Sequence, residues 1–93
     1  MVKHIVLFAV KEGEDKDQVA KIAASVLEPL AGQIEGLNHV EVRRTYQGMD
    51  IALYCELDSR EAMDAYAVHP LHEEAKSHFF HLLSSRVAAD YEC

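Results

Sequence analysis

An α+β fold is predicted by three observations. Two short apolar runs, Val2 to Val10 and Ile51 to Leu57, have the composition of strands buried on both faces. Apolar residues at Val19, Ile22, Ala23, Val26, Leu27 and Leu30 instead fall on one stripe of a helix. Strand and helix signals interleave along 93 residues, a length that predicts one domain spanning residues 1–93.

Each element follows in order. In the first strand only Lys3 and His4 are polar. A charged loop from Glu12 to Asp17 leads into the first helix, and Pro29 removes a backbone donor and should kink or end it. His39 to Tyr46 alternates polar residues with Val40 and Val42, as a second strand does. Gln47 to Asp50 reads as a hairpin turn into the third strand, Ile51 to Leu57. Asp58 and Glu61 have the spacing of a capping box, with Ser59 as the alternative cap, and a short helix follows through Tyr66. Pro70 suits the first position of a further helix running to about Leu83. Arg86 to Tyr91 closes the chain as a fourth strand. The order is β-α-β-β-α-β with the second helix broken in two, the ferredoxin-like arrangement around a four-stranded antiparallel sheet.

The pattern also implies a second subunit. Val2, His4, Val6, Phe8 and Val10 share one face of the first strand, and Ile5, Leu7 and Ala9 the other. The third strand is apolar on both sides as well. One layer of helices covers one face, and a second copy of the chain is the economical cover for the other. A monomer with a mildly apolar exposed face is the alternative.

The net charge of -7 argues against nucleic acid or an anionic membrane as partner. The apolar start is too short for a membrane span and lacks a small-residue cleavage site. Cys55 and Cys93 do not form a disulfide framework, so a soluble protein of the reducing cytoplasm is expected.

Six histidines are many for this length, and Tyr66-Ala67-Val68-His69-Pro70-Leu71-His72 gathers two of them beside a tyrosine. On the final helix Leu71, Ala75, Phe79 and Leu82 form the apolar face, and His72 leans inward beside Phe79. His4 shares its strand face with Val6 and Phe8. Converging imidazole and phenol groups bind small polar molecules or move protons, because histidine titrates near neutral pH. An inward histidine bonded to a backbone carbonyl, with a tyrosine as plain core, is an equal alternative. His69, His72 and Glu73 suggest a metal, but no further ligand is fixed by spacing and His-Glu-x-x-His is absent, so no metal is expected. No Gly-rich phosphate loop and no Gly-x-Ser-x-Gly is present, and no cofactor is expected.

Three segments resemble one family, the stress-responsive A/B barrel (Dabb) domain. They are the start Val2-Lys3-His4-Ile5-Val6-Leu7-Phe8, the Tyr66–His72 segment, and the ending Arg86-Val87-Ala88-Ala89-Asp90-Tyr91. The resemblance implies a dimeric α/β barrel. It does not imply one activity. One plant branch looks like a cofactor-free polyketide cyclase; there the histidine matching His72 acts as base, the tyrosine matching Tyr66 assists, and the histidine matching His4 lines the pocket. This chain departs from that branch at Ala23, Ala24 and Leu27, which replace aromatic side chains, and at Ile51, which replaces a histidine.

The candidate site is therefore His72 and Tyr66 as the chemical pair, with His4, Val6, Phe8, Leu27, Leu53, His69 and Phe79 around a pocket. The expected protein is a homodimer binding a small polar or aromatic molecule. A cofactor-independent enzyme, a cyclase or a barrel-type monooxygenase with His72 as general base, is the alternative. A structural stress protein without catalysis is the next.

Overall fold

The computed structural model describes residues 1–93. Strand β1 (Val2–Val10) is followed by helix α1 (Lys16–Leu27), strands β2 (Leu37–Arg44) and β3 (Ile51–Leu57), helices α2 (Arg60–Ala67) and α3 (Pro70–Ser77), and strand β4 (Leu83–Glu92). The four strands form one antiparallel sheet in the order β2-β3-β1-β4, which is open rather than closed. This is the ferredoxin-like α+β fold. No helix is long and apolar enough to cross a membrane.

The core lies between the sheet and one helical layer. Val2, Val6, Phe8 and Val10 of β1 and Ile51, Leu53, Cys55 and Leu57 of β3 are buried against Val19, Ala23 and Leu27 of α1, with Tyr66, Ala75 and Phe79. Strand periodicity turns Lys3, Ile5 and Leu7, their β3 partners Glu56, Tyr54 and Ala52, and Val87, Ala89 and Tyr91 of β4 to the opposite face. That face carries no helix, and Ile5, Val87 and Tyr91 are 36%, 58% and 50% exposed on it. The helical layer also stops short of β4. Arg86, Ala88, Asp90 and Glu92 therefore stay accessible even on the helix side of the sheet.

Several boundaries differ from the sequence reading, each for a local reason. Helix α1 begins at Lys16 because Asp15 caps it, accepting the Gln18 amide at 3.1 Å. Pro29 ends it in a turn of 3-10 helix, Glu28–Leu30. Strand β2 starts at Leu37, two residues early, because a bulge lets Leu37 pair with Leu57. It ends at Arg44, where the Asp50 carbonyl accepts from the guanidinium at 2.8 Å and closes the loop. Ser59, not Asp58, caps α2 through the Ala62 amide at 3.1 Å, while Asp58 accepts from the Asn38 side chain at 2.7 Å.

The final helix is shorter than its apolar spacing predicts. Helix α3 stops at Ser77 rather than near Leu83. Phe79 leaves helical backbone space at φ -144° and is fully buried, 5.8 Å from the Phe8 ring. A 3-10 turn over Phe80–Leu82 then delivers the chain to β4, which pairs with the whole of β1 and is longer at both ends than the predicted Arg86–Tyr91.

One glycine couples two elements. Gly36, at φ +84°, lies so close to α2 that a Cβ there would stand 2.7 Å from Ala62 Cβ.

Candidate functional site

A cavity of about 250 Å³ opens between the helices and the β4 side of the sheet. β1 contributes His4 and Phe8, α1 Leu27, and β3 Leu53. Met63 and Ala67 come from α2, His72 and Lys76 from α3. Phe79, Phe80 and Arg86 complete the wall. The uncovered edge at β4 is the physical reason for an opening here: helices seal the sheet elsewhere.

His4 is placed by strand alternation on the helix side of β1 and is the one buried polar residue. Its Nδ1–H donates to Oδ1 of Asp90, its register partner on β4. The Asp90 side chain is 43% exposed and orients the ring from the sheet edge.

His72 sits in the first turn of α3, and its orientation is set by the junction with α2. His69 caps α3 by accepting the Leu71 amide on Nδ1 at 3.1 Å, and Pro70 fills the first helical position. This turns the His72 ring back over Tyr66, stacked at 4.1 Å between centroids and 23° between planes. A carbonyl only accepts, so the 3.1 Å contact with Tyr66 O is a bond donated by His72 Nδ1–H. The Nε2 lone pair is left unused by the protein. Burial, helped by the Lys76 charge, pushes the His72 pKa below its ordinary 6.5, against backbone hydrogen bonding and Glu73. The ring is neutral at pH 7.

Tyr66 is fully buried, and its hydroxyl has no hydrogen-bond partner. Burial and the neighbouring Cys55 thiol push its pKa up, and the Arg86 charge opposes them. Burial likewise holds the Cys55 thiol up at about 12. The Tyr66 and His4 rings meet edge to face at 6.3 Å.

The residues singled out from the sequence divide accordingly. His4, Phe8, Leu27, Leu53, His72 and Phe79 line one cavity. Tyr66, Val6 and His69 do not. Tyr66 lies beneath His72 with no exposed surface, Val6 is 1% exposed within the core, and His69 is occupied as a cap. Asp90, Arg86, Lys76, Met63 and Phe80 were missed. The period-two pattern of β4 puts Arg86, Ala88 and Asp90 on one face, a signal that offered two of them; their partners across the sheet depend on register, which the pattern does not contain.

Comparison with known proteins places this geometry. The chain matches the Stress responsive A/B Barrel Domain over residues 2–93. It is 29% identical to an uncharacterized protein of Streptomyces coelicolor, with 99% of each chain covered. A dimeric protein of ferredoxin-like fold and unknown function from Bacteroides fragilis superposes with a TM-score of 0.89 at 32% identity, covering 99% of this chain and 95% of that one. A dimeric ferredoxin-like protein of unknown function from Thermobifida fusca gives 0.82 at 26% identity, covering 99% and 90%.

Proposed function

This chain belongs to the stress-responsive A/B barrel domain family, and from that premise we propose that it is a homodimer binding one small polar or aromatic molecule per subunit in the cavity beside His4 and His72. The observation that carries this reading is the pair of imidazoles at one cavity. Each has its Nδ1–H tied to a fixed acceptor, and each therefore keeps Nε2 for a ligand. Support for a second copy comes from the bare apolar sheet face around Ile5, Leu7 and Val87. The relatives from B. fragilis and T. fusca are described as dimeric. Native mass spectrometry of the freshly purified protein tests both halves. The expected result is a dimer carrying an added small-molecule mass that is absent from His72→Ala. A bare monomer would sink the reading.

A second reading, cofactor-free proton transfer, is favoured by the lowered pKa of His72. A neutral ring with Nε2 unengaged is a general base at physiological pH. It would take a proton from a carbon acid, and Tyr66 would act by holding the ring through stacking and its carbonyl, as a positioning residue. Proton exchange at the central carbon of acetylacetone in D₂O, followed by NMR, provides the test. Acceleration by the protein that disappears in His72→Ala supports it; an unchanged rate in that variant refutes it.

A further inference from the structure

We propose that the cavity takes an anion, a single-ring carboxylate whose head group is held by Arg86 at the β4 edge. This deepens the reading of the same cavity as a binding site and rests on it.

The chain has four arginines, and three are engaged. Arg43, Arg44 and Arg60 reach carboxylates at 3.1, 2.9 and 2.7 Å. Arg86 has no carboxylate partner, although the chain carries 16 acidic residues against 9 basic ones. It stands opposite Phe8 in the β1–β4 register, on the cavity side of the sheet. Its charge is felt at the Tyr66 phenol, where it opposes the upward push of burial.

The cavity inverts the sign of the molecule. Two cations, Lys76 and Arg86, line it, and no carboxylate does. Lys76 is already balanced, with Glu73 at 2.8 Å and the Phe80 ring 5.2 Å beneath its ammonium. His72 is neutral. Arg86 is therefore the lining cation with no carboxylate partner of its own, and its guanidinium is a planar fork that matches a carboxylate.

The rest of the ligand follows from the wall. Phe8, Phe79 and Phe80 pack edge to face at 5.4 to 6.1 Å and offer an aromatic surface beside the guanidinium. A volume of about 250 Å³ lies just under the range typical of drug-sized ligands, so one ring is the natural load.

Benzoate and its neutral counterpart benzamide test this by NMR titration, read at the His72 ring and the Leu53 methyls. Benzoate is expected to bind about tenfold more tightly than benzamide. Arg86→Met, on the exposed edge, should erase that preference by weakening benzoate binding about tenfold. Arg60→Met, which removes an equal charge outside the cavity, should keep it. Equal binding of the two probes, or a preference that survives Arg86→Met, overturns the anion assignment and leaves the cavity reading standing. If neither probe moves His72 or Leu53, both fall together.

Discussion

His72 donates its Nδ1–H to the backbone carbonyl of Tyr66, the residue whose ring it covers. One tyrosine thus fixes both the tilt of the imidazole and its tautomer, and the remaining nitrogen faces no protein acceptor.

His72 should titrate below 6.5 when followed through its Cε1 proton by NMR. Lys76→Met should move the midpoint upward, because it removes a repelling cation and frees Glu73. A native midpoint above 6.5 would remove the basis for a neutral base at pH 7.

The same shift makes stability depend on pH. With the folded pKa depressed, the unfolded chain takes up the proton first. Stability is whole above about pH 6.5 and is lost as pH falls from there toward the folded value. Urea midpoints should drop more across this interval for the native protein than for His72→Gln; parallel curves would contradict the shift.

Sedimentation equilibrium should give about twice the 10.5 kDa subunit mass. Val87→Glu places a charge on the bare face at a position 58% exposed in the subunit, so it should yield folded monomer. Leu7→Glu, nearer the middle of the sheet, should monomerise or unfold the chain. A Val87→Glu protein that stays dimeric would move the interface elsewhere.

Gly36→Ala should cost about 1–3 kcal/mol in chemical denaturation, combining left-handed backbone strain with a forced shift of α2 at Ala62. Gly48→Ala is the control. It shares a positive φ but meets nothing within 4 Å, and should cost about 1 kcal/mol. Equal losses would show that the Ala62 contact yields freely.

Cys93 should react quickly with a thiol reagent at mild alkaline pH. Cys55, buried with its pKa at about 12, should react only on unfolding. Two fast thiols in the native protein would contradict the burial of β3.

Strands β1 and β3 were legible to the residue because their apolar runs are bounded by charge, Lys11 after one and Asp58 after the other. The end of α3 was not. Phe79, Phe80, Leu82 and Leu83 continue a helical apolar stripe in sequence, but Phe79 turns out of the helix to pack on Phe8. Such tertiary packing overrides local spacing. Alternation and the helical wheel put His4 and His72 on inward faces, and both line the cavity. Tyr66 shares the inner stripe of its helix, and a wheel tells inner from outer, not lining from underlying. The Asp90 partner of His4 lies 86 residues away, and only the antiparallel register brings the two together.

The unpartnered hydroxyl of Tyr66 has an optical consequence. The chain has four tyrosines and no tryptophan, and Tyr66 alone is fully buried. The bond from Tyr54 to Glu56 holds that phenol up, so raising the pH should ionise it late. Tyr66, held neutral by its surroundings, turns to phenolate only as the structure opens. The last step in phenolate absorbance is then an unfolding signal, and the protein carries an intrinsic chromophore directly beneath His72.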